Sequence, residues 1–126
     1  MADAVNRGEV SLDGRLDSYL PELAGTEAGG VTLLELATHT SGLPELAKPI
    51  DAALLAQSLS GQALGIYTEA ESAAVIEQTR RVSLTGRGEW AYSNLGMSLL
   101  GFALARAANA PDWTTLVTQR LLLPLG

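Results

Sequence analysis

The sequence predicts a mainly α-helical fold, and three features carry this prediction. Thr32 with Glu35 and Thr68 with Glu71 form capping boxes, in which the hydroxyl and the carboxylate each accept a hydrogen bond from a free backbone N–H of a first helical turn. Apolar residues recur at helical spacing over residues 95–110. Alternating runs typical of β-strands extend for no more than four or five residues. The sequence therefore favours packed helices over a sheet.

The first elements are short. Residues 1–7 resemble the last turns of a helix that Gly8 ends, because glycine readily adopts the left-handed conformation that follows many helices. Asp13 is placed to cap a brief helical turn that runs through Tyr19, since its carboxylate can accept from free N–H groups. Pro21 ends that turn, because proline has no N–H to donate.

The middle of the chain predicts two further helices. The capping box at Thr32 opens a helix that reaches about Thr38. Residues 41–44 (SGLP) break it, because glycine permits a left-handed turn and proline disfavours helix at the preceding residue. A second apolar helix is expected over residues 51–59, and Gly61 stops it.

The next predicted helix opens at Thr68 and extends toward Val82. Gly86 and Gly88 close this element. Residues 89–92 (EWAY) are predicted to be extended, leading into the longest apolar helix of the chain.

Two helices are predicted in the last third. Ser93 or Asn94 caps the first, and Asp112 caps the second, which spans about residues 113–122. The expected inward side chains are Leu95, Leu99, Leu100, Phe102, Ala103 and Ala107 in the first helix, and Leu116, Val117, Leu121 and Leu122 in the second. Trp90 and Trp113 are expected to pack in the core or against further chain.

Composition narrows the possible partners. The chain has 126 residues, of which 47% are hydrophobic, enough for one packed core. Its net charge of -6 repels phosphate backbones and anionic lipid, so we expect no nucleic-acid partner. The apolar run over residues 95–110 contains Arg106 and is shorter than a membrane span, so no membrane partner is expected either. Residues 1–8 do not form a signal peptide, and the compartment stays open.

Three segments resemble the serine β-lactamase and penicillin-binding protein family, which includes class C β-lactamases, DD-peptidases and related esterases. They are residues 7–13 (RGEVSLD), residues 31–44 (VTLLELATHTSGLP) and residues 92–96 (YSNLG). The resemblance runs nearly end to end. It implies that residues 1–126 are a single partial domain, the helical region of that family's α+β fold with most of the sheet half missing.

The resemblance also implies which catalytic elements these residues lack. The family's Ser-x-x-Lys, which supplies the nucleophile, is expected before Met1, and its Lys-Thr-Gly or His-x-Gly element after Gly126. Lys48 is the only lysine, and Glu45 stands three positions before it, so no internal Ser-x-x-Lys exists. We therefore expect the chain alone to be inactive, although its family resemblance makes it part of a serine hydrolase.

Tyr92 and Asn94 match the family's Tyr-x-Asn element. The resemblance implies that the tyrosine moves a proton during catalysis and that the asparagine amide binds substrate. Read without the resemblance, they are a core aromatic and a helix cap. A tyrosine phenol keeps its proton at neutral pH unless cations favour the phenolate, so we expect Tyr92 to be protonated and inert here. Gly86-Arg87-Gly88 stands where the family has Pro-Gly.

His39 is the only histidine, and we expect it to form a structural hydrogen bond. With no cysteine in the chain, a metal site would be mostly carboxylate, so no metal and no cofactor are expected. A catalytic pair of Ser41 and His39 is disfavoured, because residues two apart do not face each other on a helix or turn.

Two functions stay open at this stage. The chain is a segment of a hydrolase of β-lactams, D-alanyl peptides or esters, or it is a non-catalytic truncated domain that associates with itself or a partner. The second alternative follows because a helical half without its sheet should expose a contiguous apolar patch. An unrelated helical adaptor would require the three matching segments to be coincidence.

Overall fold

A computed structural model describes residues 1–47 and 69–126, and this part of the chain is mainly helical, as predicted. The helices are α1 (Ala2–Asn6), α2 (Leu16–Tyr19), α3 (Leu33–Ala37), α4 (Glu69–Thr79), α5 (Asn94–Ala107), α6 (Trp113–Val117) and α7 (Leu123–Leu125). Two 3₁₀ turns, Pro21–Leu23 and Ala28–Gly30, follow α2, and a π turn, Thr118–Leu122, joins α6 to α7. The helix expected over residues 51–59, its stop at Gly61 and the cap at Thr68 lie outside the described residues.

The start of α2 differs from the prediction. Asp13 does not cap it; the N-cap is Arg15, which provides no side-chain hydrogen bond. Backbone pairing replaces the cap, because the N–H of Leu16 donates to the carbonyl of Val31 at 2.7 Å. Arg15 and Thr32 also form an isolated antiparallel bridge. A distant segment therefore satisfies the free end of α2, which a local pattern does not reveal.

The capping box at the start of α3 is confirmed. Oγ1 of Thr32 accepts from the N–H of Glu35 at 3.2 Å, and Oε2 of Glu35 accepts from the N–H of Thr32 at 2.8 Å. The helix ends at Ala37 with Thr38 as its C-cap, so its predicted length is also correct. His39 then takes a left-handed conformation with φ of 57°, which turns the chain away from the helix axis.

Helix α5 lies at the centre of the core and packs against α2, α3 and α6. Each fully buried leucine contributes roughly 1.5–3 kcal/mol relative to an exposed one. The predicted face is correct for most positions, but Phe102 and Ala107 are only partly buried. The buried residues of α5 are Leu95, Gly96, Leu99, Leu100, Ala103, Leu104 and Ala105.

The last predicted helix is correct at its start and wrong at its end. Asp112 caps α6, since its carboxylate accepts from the N–H of Thr115 at 2.6 Å. Leu116 is buried as expected, whereas Leu121 and Leu122 are 47% and 58% exposed rather than inward. Helical position accounts for this correction: at 3.6 residues per turn, Leu121 and Leu122 lie about 140° and 120° around the helix axis from the buried Leu116. The π turn Thr118–Leu122 also interrupts the helix there.

Ion pairs join distant parts of the fold. The guanidinium of Arg120, in the π turn, binds both carboxylate oxygens of Glu9 at 2.6 and 2.7 Å and reaches Asp3 at 3.4 Å. Arg106 of α5 binds both oxygens of Glu22 at 2.7 and 2.6 Å. Solvent screens such partly exposed pairs, so each contributes little to stability by itself. None of the helices in the described ranges has the length and apolar character needed to span a membrane.

Candidate active site

Two irregular segments lie side by side and carry the site. We call residues 39–45 the acceptor segment and residues 85–95 the donor segment, because every hydrogen bond between them runs from the second to the first. Backbone N–H groups of the donor segment bind carbonyls at four positions: Thr85 to Gly42 (2.9 Å), Gly88 to Thr40 (2.8 Å), Ala91 to His39 (2.8 Å) and Leu95 to Glu45 (3.0 Å). The backbone around Tyr92 is therefore held along its whole length.

Glycine allows this close approach at Gly42. Its φ of 75° is in the left-handed region, and a Cβ there would lie 3.0 Å from both the nitrogen of Arg87 and the carbonyl oxygen of Thr85. The donor segment turns at Gly86 and Gly88, which also have positive φ values of 65° and 96°. The predicted break at Gly42 is confirmed, whereas the helix that Gly86 and Gly88 are predicted to close ends earlier, at Thr79.

Arg87 anchors the donor segment to α3. Its guanidinium donates to the two carboxylate oxygens of Glu35 at 2.7 and 2.9 Å and to the carbonyl of Gly30 at 2.8 Å. These bonds from Arg87, followed by those from the backbone and hydroxyl of Thr32, lower the pKa of Glu35 to about 2 against the opposing effect of partial burial. Arg87, which stands where the resemblance implies Pro-Gly, therefore attaches the donor segment to α3 through an ion pair with Glu35.

Tyr92 and Asn94, the predicted site residues, lie together at the N-terminus of α5. The phenol of Tyr92 donates to Oδ1 of Asn94 at 2.9 Å. Tyr92 is 52% exposed, so the alternative of a core aromatic is wrong. Asn94 is the first residue of α5 rather than its cap, so the alternative of an ordinary capping asparagine is wrong too.

Ser93, between them, points into the protein. It is 1% exposed and caps α5, because its Oγ accepts from the N–H of Gly96 at 2.9 Å. The same hydroxyl donates to the carbonyl of Pro44 at 2.7 Å, in the acceptor segment. The side chains of these two neighbours thus point in opposite directions, Ser93 inward and Tyr92 outward. The expected capping role of Ser93 is confirmed.

His39 forms the structural hydrogen bond expected of it. Its Nδ1 accepts from the N–H of Ser93 at 3.2 Å. Its ring lies against Tyr92 with centroids 4.8 Å apart and meets the edge of Trp90 at 6.3 Å. Ser41 is not its partner, because the Ser41 hydroxyl accepts from the N–H of Leu43 at 3.2 Å. The sequence showed the histidine after a helix but not these partners, which are more than 50 residues away.

The surroundings of the pair are open. Trp90 is 71% exposed and Trp113 is 44% exposed, so neither packs in the core as one of the expected readings had it. A cavity of about 40 Å³ beside α1 and α6 is lined by residues other than Tyr92 and Asn94. In residues 1–47 and 69–126, no three acidic or histidine side chains converge in a way that would hold a metal ion. Tyr92 and Asn94 therefore stand on a surface rather than in an enclosed cleft.

Comparisons with known proteins show similarity along nearly the whole chain. A β-lactamase of Providencia stuartii is 31% identical over 118 residues, 94% of this chain and 26% of its own length. The D-alanyl-D-alanine-carboxypeptidase/endopeptidase AmpH of Escherichia coli (strain K12) is also 31% identical, over 97% of this chain and 30% of its own length. The chain thus spans about a quarter to a third of these relatives.

Solved structures share the fold. The D-alanine carboxypeptidase AmpC of Burkholderia cenocepacia is 33% identical with a TM-score of 0.61, over 98% of this chain and 29% of that one. The class C β-lactamase of Rhodobacter sphaeroides is 27% identical with a TM-score of 0.68, over 96% and 29%. The β-lactamase family model matches residues 1–126. The chain therefore belongs to the β-lactamase family and is related to its serine hydrolases.

Proposed function

We propose that this chain supplies the proton-carrying and substrate-binding part of an acyl-transfer site in a serine hydrolase of β-lactams, D-alanyl peptides or esters. Tyr92 is the proton carrier and Asn94 the substrate-binding residue. The observation that carries the proposal is their hydrogen bond of 2.9 Å, at an exposed position in a donor segment that is hydrogen-bonded to the acceptor segment. The chain alone is proposed to be inactive.

Acyl transfer needs a proton to move in two steps. A serine oxygen attacks the carbonyl carbon and loses its proton, and the leaving group then gains one. An exposed phenol within reach of both atoms can accept the first proton and donate the second. Asn94 accepts from Tyr92 through Oδ1, which leaves its two Nδ2 hydrogens to bind a substrate carbonyl. In the described part of the chain, Nδ2 of Asn94 donates to no acceptor.

The proposed inactivity follows because acyl transfer needs a cation beside the tyrosine and an exposed nucleophilic serine. No ammonium or guanidinium group of the described residues hydrogen-bonds to the Tyr92 hydroxyl, so that part of the chain places no cation on the oxygen that would have to exchange the proton. Ser93 and Ser41 are both buried and hydrogen-bonded within the fold, so neither is an exposed nucleophile. Lys48, the only lysine, has no serine three positions before it.

The test is hydrolysis of a chromogenic cephalosporin and of a nitrophenyl ester by the purified chain. We expect no turnover above buffer. Turnover that Tyr92→Phe removes and Tyr19→Phe leaves intact would overturn the proposed inactivity. Tyr19 is the matched control because its hydroxyl accepts from the N–H of Ser11 at 3.1 Å, in a different part of the fold.

The role of Tyr92 is tested separately. If the reading frame upstream of Met1 encodes a Ser-x-x-Lys segment, the longer protein should hydrolyse one of these substrates. Tyr92→Phe should then lower kcat by about a hundredfold or more, the usual size of a lost acid–base group. An unchanged kcat would refute the role assigned to Tyr92.

Exposed leucines favour a second candidate function, that of a self-associating module. Leu122, Leu123 and Leu125 are 58%, 71% and 83% exposed at the end of the described chain, and Trp113 lies on the preceding helix. Exposed apolar side chains drive association in water where they form one surface. The two candidates differ in their readout, because self-association changes mass with concentration and catalysis does not.

A further inference from the structure

We infer that His39 is a positioning residue, which fixes the conformation of Tyr92 by binding the chain on both sides of it. The catalytic meaning of this inference rests on the proposed function, whereas the contacts of His39 do not depend on that function. Three contacts from this one residue carry it, and they involve Ala91, Tyr92 and Ser93 in succession.

The two backbone contacts bracket Tyr92. The carbonyl of His39 accepts from the N–H of Ala91 at 2.8 Å, and its ring Nδ1 accepts from the N–H of Ser93 at 3.2 Å. The residues before and after Tyr92 are therefore bound to a single residue. Since the backbone has only two soft dihedrals per residue, fixing both neighbours leaves Tyr92 little freedom of direction.

The third contact holds the side chain. The rings of His39 and Tyr92 have centroids 4.8 Å apart and planes tilted by 37°, within the range of favourable ring contacts. The phenol at the far end binds Asn94 at 2.9 Å. The ring of Tyr92 is therefore held at one end by His39 and at the other by Asn94, although the residue is half exposed.

The geometry also fixes the form of the imidazole. A ring nitrogen that accepts a hydrogen bond carries no proton, so the neutral ring must carry its proton on Nε2. The backbone of His39 is left-handed, with φ of 57°. Asparagine tolerates this conformation and offers Oδ1 as an acceptor, whereas phenylalanine offers a ring and no acceptor. His39→Asn and His39→Phe therefore separate the hydrogen bond from the ring contact.

The experiment is nuclear magnetic resonance of the ¹⁵N-labelled chain. We expect the Nε2-protonated form of His39 and a scalar coupling across the hydrogen bond from the nitrogen of Ser93 to Nδ1. We also expect His39→Phe to speed amide exchange at Ser93 about tenfold, the effect of one lost hydrogen bond, and His39→Asn to restore protection. Rescue confined to the Ser93 amide would assign the faster exchange to the lost hydrogen bond. A general loosening of the fold would speed exchange at other amides as well, and His39→Asn would not restore Ser93 selectively.

Several outcomes would overturn the inference. Protonation of Nδ1 or the absence of the scalar coupling in the unmodified chain refutes it without any variant, so it does not depend on the folding of His39→Phe. Equal exchange at Ser93 in both variants refutes it as well. Failure of the proposed function looks different, because Tyr92→Phe would then leave hydrolysis by the longer protein unchanged while the coupling to Ser93 persisted.

Discussion

Arg87 donates two hydrogen bonds of 2.7 and 2.9 Å to the carboxylate of Glu35, although the residues are 52 positions apart in the chain. The carboxylate of Glu35 also accepts from the N–H and hydroxyl of Thr32 at 2.8 and 3.0 Å. One side chain therefore caps α3 and anchors the donor segment that carries Tyr92. Protonation of Glu35 should weaken both connections together.

Stability should fall in acid because of Glu35. Its pKa is lowered to about 2 in the folded protein from an ordinary 4.5, so its contribution is complete above pH 4.5 and is lost as the pH falls toward 2. Between pH 6 and pH 3 we expect this group to cost about 1 kcal/mol of unfolding free energy, after allowance for solvent screening of the half-exposed Arg87. Urea unfolding at both pH values measures it.

Glu35→Gln is the control for this pH dependence. The variant retains the other carboxylates with lowered pKa values, such as Glu9 and Glu22, so their effects cancel in the comparison. The unmodified chain should lose about 1 kcal/mol more than the variant over the same pH interval. Identical losses in the two proteins would contradict the assignment to Glu35.

Ser93→Ala should destabilise the protein more than the loss of an ordinary helix cap. The buried hydroxyl caps Gly96 at 2.9 Å and also donates to Pro44 at 2.7 Å, so its removal leaves unpaired groups in the interior. We expect a loss of about 2 kcal/mol. Asp112→Ala is the matched control: it removes an exposed cap on Thr115 and should cost clearly less. Equal losses by urea unfolding would contradict a second role for Ser93.

Local signals explain what the sequence could predict. The cap of Glu35 by Thr32, the cap of Thr115 by Asp112 and the left-handed turn at Gly42 all depend on residues within a few positions. These predictions are confirmed because the hydrogen-bond partners at these positions lie within a few residues in the chain. Resemblance to a family, rather than any local rule, drew attention to Tyr92 and Asn94.

Long-range contacts explain what the sequence could not predict. Leu16 takes its partner from Val31, so the predicted cap at Asp13 is unnecessary. His39 and Ser93 are 54 residues apart, and no spacing rule connects them. Leu122 is exposed and lies in a π turn, and such a turn has no strong sequence signature. Each of these features becomes visible only in the packed structure, because the sequence carries no local sign of it.

Removing the exposed leucines should weaken self-association. In Leu122→Ser with Leu125→Ser, two side chains that are 58% and 83% exposed become polar without disturbing the core. Sedimentation velocity over a concentration series should show the dissociation constant rising at least about tenfold. The matched double variant Leu12→Ser with Leu34→Ser replaces leucines that are 38% and 40% exposed elsewhere, and it should not change the dissociation constant. A monomeric unmodified chain would contradict the prediction.

Gly42→Ala should loosen the contact between the two segments of the site. With φ of 75°, the new Cβ would be strained and would lie 3.0 Å from backbone atoms of Thr85 and Arg87, which cannot move without breaking the hydrogen bond from Thr85. Gly25→Ala is the matched control, because its φ of 76° is the same and nothing lies within 4 Å. The control should lose about 1 kcal/mol from backbone strain alone.

The difference between the two glycine variants isolates the close approach. We expect Gly42→Ala to lose about 1–3 kcal/mol more than Gly25→Ala in urea unfolding, the usual range for overpacking against atoms that cannot yield. Amide exchange at Thr85 and Gly88 should also become faster in Gly42→Ala, because their bonds to the acceptor segment lengthen. Equal stabilities with unchanged exchange would mean that the segments are not held together at Gly42.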